Sequence, residues 1–187
     1  MFSYDDTVIE QFGKFLPAVK IGDRLWLKDN LDCSDYGDGI ICNGTCYYTW
    51  DAAKRIASKL GGWHLPTVQE WNDACEILGY KNVGYDRFIG QPSEIDEPCL
   101  KFYSGCSLQK VLDIYPLGYY MPGGKFTDVG WSGLYWTATD KCFWEDIDSS
   151  DTAFCRSFRK PSDDGIVNSS RCPKTYYFPV RLVKDMD

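Results

Sequence analysis

The sequence predicts a single α+β domain, and three observations predict it: a β-hairpin near the start, two amphipathic helices after it, and a train of short β-like runs in the second half. Ala18-Val-Lys-Ile-Gly-Asp-Arg-Leu-Trp-Leu-Lys28 alternates apolar and polar residues about Gly22-Asp23, a pair that tolerates positive φ, so it reads as a hairpin. From Thr49 the period lengthens. Trp50, Ala53, Ile56, Ala57 and Leu60 share one helical face, and Gly61-Gly62 supplies a left-handed stop. Thr67-Val-Gln-Glu70 after Pro66 spells a capping box, and Val68, Trp71, Ala74, Cys75 and Leu78 form the stripe of a second helix.

Residues 79–113 break every period at Gly90-Gln-Pro-Ser-Glu and Glu97-Pro-Cys, which predicts an irregular insertion with one helical turn near Leu108. Beyond it, residues 117–121, 133–138, 152–158 and 176–183 are β-like and are separated by Gly, Asp, Ser and Pro clusters. That is the pattern of an antiparallel sheet with sizeable loops.

The chain has 187 residues and no low-complexity or charge block that would divide it, so residues 1–187 are expected to fold as one unit. Hydrophobic residues at 44% and charged residues at 25% give the balance of a globular protein with a packed core. Aromatic residues reach 16%, more rings than one small core hides, so some are expected near the surface, where they serve recognition. The net charge of -7 opposes nucleic acid and anionic lipid. No apolar run approaches the roughly 18 to 20 residues of a membrane helix, and residues 1–10 have neither a basic nor an apolar region of a signal peptide; no membrane insertion is expected.

Nine cysteines are present, but Cys42 and Cys46 have no second close pair, and His64 stands apart from them, so no zinc site is spelled. Disulfides among Cys33, Cys42 and Cys46, or between Cys142, Cys155 and Cys172, are one reading; reduced core thiols are the other. Trp63, Trp71, Trp136 and His64 read as scaffold residues around the helix cap. Glu145, Asp146, Asp148 and Asp151 form an acidic loop whose simplest reading is a solvated one; calcium is the other. No cofactor and no metal are expected.

Several motifs occur in order: Val19-Lys-Ile-Gly-Asp-Arg-Leu-Trp-Leu-Lys-Asp-Asn-Leu31, Gly62-Trp-His-Leu-Pro-Thr-Val-Gln-Glu-Trp71, Leu117-Gly-Tyr-Tyr, Leu134-Tyr-Trp-Thr-Ala-Thr139 and Phe178-Pro-Val-Arg-Leu-Val-Lys-Asp185. Together they resemble the Fibrobacter succinogenes major paralogous domain, common in Bacteroidetes, over residues 19–185. The resemblance implies a C-type-lectin-like fold, two helices packed on an antiparallel β-sheet, shared with the variable proteins of diversity-generating retroelements and with formylglycine-generating enzymes. The chain departs from the family pattern at Pro179 and in residues 79–113. Trp71-Asn72-Asp73 spells the calcium triplet of true C-type lectins but falls inside the second helix, and Gln91-Pro92-Ser93 lacks the carboxylate of its partner loop, so lectin-type calcium coordination is not expected.

The expected function is that of a ligand-binding module for protein or glycan, not an enzyme, mounted extracellularly on a cell surface or a phage virion and open to retroelement diversification. Recognition is expected between residues 141 and 177, with Phe143, Trp144, Arg156, Arg159, Asn168, Arg171 and Tyr176 as ligand-binding residues, because aromatics and Arg dominate interface centres. Alternation along a strand places Phe154, Arg156 and Phe158 on one side, and the competing reading makes the two Phe core residues. The runner-up is an oxidoreductase similar to formylglycine-generating enzymes, which would need a placed pair of reactive cysteines; no local pattern supplies one.

Overall fold

In this computed structural model residues 4–11, 13–32, 37–82, 88–89, 108–140, 151–159 and 167–186 are described. They form an α+β fold of mostly antiparallel sheets with few helices. Strand β1 (Tyr4–Gln11) pairs along its whole length with β2 (Lys14–Ile21). Gly22, at φ 64, turns β2 into β3 (Arg24–Leu27), as the Gly22-Asp23 pair predicts. After a small ribbon of β4 (Ile40–Cys42) and β5 (Thr45–Tyr47) come α1 (Trp50–Ala57) and α2 (Val68–Ile77). Short strands β6 (Lys81–Asn82) and β7 (Phe88–Ile89) and one helical turn, α3 (Leu108–Val111), are the described parts of the 79–113 segment. The β8 (Tyr119–Met121) and β9 (Lys125–Thr127) hairpin leads to β10 (Ser132–Trp136), β11 (Thr152–Arg159), β12 (Val167–Pro173) and β13 (Val183–Asp185).

The larger strands make two sheets. One has the order β1-β2-β3-β13 and so joins the first described strand to the last; the other has the order β10-β11-β12-β7-β6. Both helices start where side chains satisfy their open N–H groups. Thr49 accepts from Ala52 N at α1, and at α2 Thr67 and Glu70 form the reciprocal capping box. Helix α1 ends at Ala57, earlier than its apolar stripe predicts, because Lys59 and Leu60 already donate to carbonyls three residues back. Leu60 is nonetheless buried.

Aromatic rings join these layers. Trp26 of β3 lies 4.6 Å from Trp71 of α2, Trp71 lies 5.4 Å from Phe158 of β11, and Phe158 lies 5.8 Å from Tyr135 of β10. On the α1 side, Trp136 packs 4.2 Å from Phe178 and its indole N–H donates to the Tyr48 carbonyl at 2.8 Å. Trp50 donates likewise to Thr137 O at 2.8 Å.

Sequence patterning missed β1, β4, β5, β6, β7, β9 and β12, and it overextended the last β run. Residues 176–183 are not one strand: Tyr177 and Phe178 make single bridges to Tyr120 and Tyr48, and ladder pairing resumes only at β13. Pro179 has no N–H to donate, so a continuous ladder fails at that point, while Val180 O and Leu182 O still accept from Leu31 N and Leu27 N.

Trp71 is fully buried between both sheets, and its indole N–H has no acceptor among the described residues. Trp71→Ala is therefore expected to cost about 3 to 5 kcal/mol in urea unfolding. Trp71→Phe, which keeps a ring and removes the stranded donor, should lose clearly less; equal losses would show that ring packing is not what α2 contributes.

Candidate binding face

The register of the second sheet determines which side chains share a face. Ser132 pairs with Arg159, Leu134 with Ser157, Ser157 with Asn168, and Cys155 with Ser170, so Ser132, Leu134, Ser157, Arg159, Asn168 and Ser170 project to one side. Phe154, Arg156 and Phe158 project to the other, toward α2.

Two glycines bring a wall onto the open end of that face. A Cβ on Gly118, at φ 67, would stand 2.3 Å from Thr127 O, and one on Gly133 would stand 2.6 Å from Tyr115 O, so the backbones meet at distances only glycine permits. Beside them Asp128, at φ 59, closes a turn in which its carbonyl accepts from Trp131 N at 2.9 Å and Ser132 N at 3.0 Å. The result is a depression of about 400 Å³ lined by Tyr119, Asp128, Trp131, Ser132, Leu134, Ser157 and Arg159.

Its chemistry is mixed. The Trp131 ring is 62% exposed. Asp128 receives only long contacts of 3.4 Å from the Thr127 and Ser132 hydroxyls, which leaves its carboxylate oxygens able to accept more. The backbone of Arg159 is fixed by Gln109 Nε2, which donates to its carbonyl at 2.7 Å, while its exposed guanidinium makes no hydrogen bond or ion pair among the described residues. Tyr119 stacks on Tyr176 at 5.9 Å, and burial holds the Tyr119 hydroxyl above its usual pKa.

Of the residues predicted to bind, Arg159 and Asn168 share this face, and Tyr176 borders it through Tyr119. Phe143 and Trp144 lie outside the described residues, as do Glu145, Asp146 and Asp148 of the acidic loop. Arg171 is turned to the opposite side, where it lies 5.1 Å over the Phe154 ring and donates to Thr152 Oγ1. Arg156 requires a correction: it has no exposed surface, and it donates to Ser169 Oγ at 2.8 Å and to the Asn72 side-chain oxygen. A long cation on a strand looks like an interface anchor in sequence, but α2 covers that side of β11. Of the two Phe that the competing reading made core residues, Phe158 is buried in the core and Phe154 is only half-buried. Sequence reasoning missed Tyr119, Asp128, Trp131, Ser132 and Ser157; the available signal was a Trp set among turn formers in Asp128-Val-Gly-Trp-Ser-Gly133.

Elsewhere the titratable groups serve the scaffold. His64 Nε2 lies 2.7 Å from Glu70 Oε1, and the other Glu70 oxygen accepts from Thr67 N and Oγ1 at 2.7 and 2.8 Å. Arg24 approaches Glu70 at 3.4 Å and also pairs with Asp73 and Asp185. Among the described residues no group of three or more His, Cys, Asp or Glu is placed to hold a metal, and no helix is long and apolar enough to cross a membrane. Cys46 is disulfide-bonded, while Cys42, Cys75, Cys155 and Cys172 are free.

The hydrogen bond to the Glu70 carboxylate raises the His64 pKa above 6.5. Burial alone would raise Glu70, but the bonds from His64 and Thr67 outweigh it and hold the carboxyl below 4.5. A raised histidine pKa gives stability that is full below the unfolded value and lost as pH rises through the folded one. A lowered carboxylate pKa gives stability that is full above the unfolded value and lost as pH falls through the folded one. Unfolding free energy should therefore decline by up to about 1 kcal/mol as pH rises from just below 6.5 toward 8, a small figure because the pair is partly solvated. His64→Gln should flatten that slope, and since His64 is the only histidine, an unchanged slope would dissociate it from the pair.

Arg156 and Arg159 provide a second test. Arg156→Ala removes the hydrogen bonds to Asn72 and Ser169 and opens a cavity, so a loss on the order of 2 to 4 kcal/mol is expected. Arg159→Ala should stay within about 0.5 kcal/mol of the parent. Equal effects in thermal melts would contradict the register given above. In comparisons with known proteins, no family model, no curated protein and no solved structure matches the chain.

Proposed function

We propose that the chain is a ligand-binding module of the C-type-lectin-like kind, related to the Fibrobacter succinogenes major paralogous domain, which recognises its ligand with the face that ends in the Trp131–Arg159 depression. One observation carries the reading: an exposed Trp131, the exposed guanidinium of Arg159, the Asp128 carboxylate and hydroxyl-bearing Tyr119, Ser132 and Ser157 line a single concave site. A flat aromatic ring takes the apolar face of a sugar, and flanking charged groups and hydroxyls take its hydroxyls, so a glycan residue suits this lining without calcium. Asn168 and Ser170 extend the same face for an elongated ligand. In this reading the domain sits on a cell surface or a phage tail, and residues of this face are those a retroelement would vary.

A second reading, an oxidoreductase resembling formylglycine-generating enzymes, draws on the Cys155 and Cys172 sulfurs, 3.3 Å apart. It is the weaker of the two, because Cys155 has no exposed surface and neither cysteine lines the depression.

Trp131→Ala and Arg159→Ala, screened beside the parent on an immobilised glycan panel, should each weaken binding about tenfold or more while the melting temperature holds. Retention of full binding by both variants would remove the depression from recognition. If the parent bound no glycan but captured a protein partner in a Trp131-dependent way, the module would stand and the glycan assignment would fall.

A further inference from the structure

We propose that Cys155 and Cys172 form a thiol–disulfide site: Cys172 attacks a small-molecule disulfide to form a mixed disulfide, and Cys155 resolves it into an intramolecular bond. The register places the two residues diagonally on neighbouring strands, since Cys155 pairs with Ser170 and Ala153 with Cys172, and both project to the same face. Their Sγ atoms stand 3.3 Å apart. A disulfide of about 2.05 Å thus requires only about 1.3 Å of approach, within the reach of side-chain rotation and a slight draw of β11 toward β12.

Burial assigns the roles. Cys155 has no exposed surface, whereas Cys172 is only partly buried, so an external reagent meets Cys172 first. The hydrogen bond from Cys155 holds the Cys172 thiol below its usual pKa, and burial pushes Cys155 well above it, which is the order expected of an attacking and a resolving thiol. Cys75 provides the contrast, with a fully buried thiol pushed up to about 12.

The exchange balances with a glutathione-like disulfide as oxidant. Cys172 thiolate attacks one sulfur of that disulfide, breaking its S–S bond and expelling one thiolate, which takes up the proton Cys172 gave to water. Cys155 then gives up its proton and attacks the Cys172 sulfur, forming the intramolecular bond and expelling the second thiolate, which is protonated in turn. Two protein thiols are oxidised and one disulfide is reduced to two thiols. Tyr119 lies close to both sulfurs and also lines the depression, so closure is felt at its wall.

The test uses the full chain, reduced, folded and exposed to millimolar oxidised glutathione, and follows it by intact mass and tryptic mapping. The expected product carries a peptide linking residues 172–174 to residues 142–156, a link that accounts for two hydrogens lost beside those of the re-formed Cys46 disulfide, with Cys172 consumed at least about tenfold faster than Cys75. Peptide 142–156 also contains Cys142, so Cys155→Ala assigns the sulfur: that variant should lose the link and accumulate a glutathione adduct on Cys172. Near-ultraviolet dichroism of the parent should shift on oxidation and return with dithiothreitol. A native chain whose Cys172 stays unreacted, or stops at the glutathione adduct, overturns the proposal. So does a link that survives Cys155→Ala.

Discussion

The insertion of Trp71 between the two sheets is the contact on which the rest of this structure depends. Among the described residues no ladder joins the two sheets, and side chains bridge them: Trp26 from β3 meets Trp71, and Trp71 meets Phe158 from β11. The capping box fixes where α2 begins and therefore which residue points into that gap. Ring contacts near 5 Å bury much area and have edge-to-face preferences, so they orient the sheets as well as hold them. The paired Trp136 and Phe178 do the same on the α1 side, and the Trp136 donor to Tyr48 O ties that contact to the segment entering α1.

This division explains what could be read from the sequence. The capping box, the hairpin about Gly22-Asp23 and the stripe of α2 are local patterns, written in adjacent residues, and each stands in the structure as read. In β1 the apolar Val8 and Ile9 are adjacent instead of alternating, and β4 and β9 are three residues long, so alternation gives no signal. β12 carries Asn168, Ser169, Ser170 and Arg171, residues that pattern reasoning assigns to a loop, and it is a strand because β11 supplies its partner. The long-range pairing that makes it one is not a property of the segment.

The same reasoning accounts for the candidate site. Arg156 and Arg159 look alike in sequence, three residues apart in a strand that alternates, and a shift of three changes face. Which face is covered depends on α2, some eighty positions earlier, through Asn72. Asn72 itself belongs to the triplet that mimics a calcium motif; its helical position turns its oxygen inward to a guanidinium instead of outward to an ion. Asp128, Trp131 and Ser132 could not be joined to Arg159 without knowing that Gly118 and Gly133 let the chain fold flat against β10.

Pleating then separates recognition from stability along one strand. Arg156 and Phe158 of β11 face α2 and are buried, whereas Ser157 and Arg159 face the depression, with Asn168 beside them on β12. Substituting the second set removes no contact from the Trp71 cluster. The face is not uniform, however: toward its other end Cys155 and Cys172 lie in the core packing with Tyr119 and Tyr176. One end can therefore change its chemistry freely, and the other is anchored by packing. The open end leaves room for variety and the closed end supplies rigidity, and Tyr119, which packs with the core and lines the depression, is where the two meet.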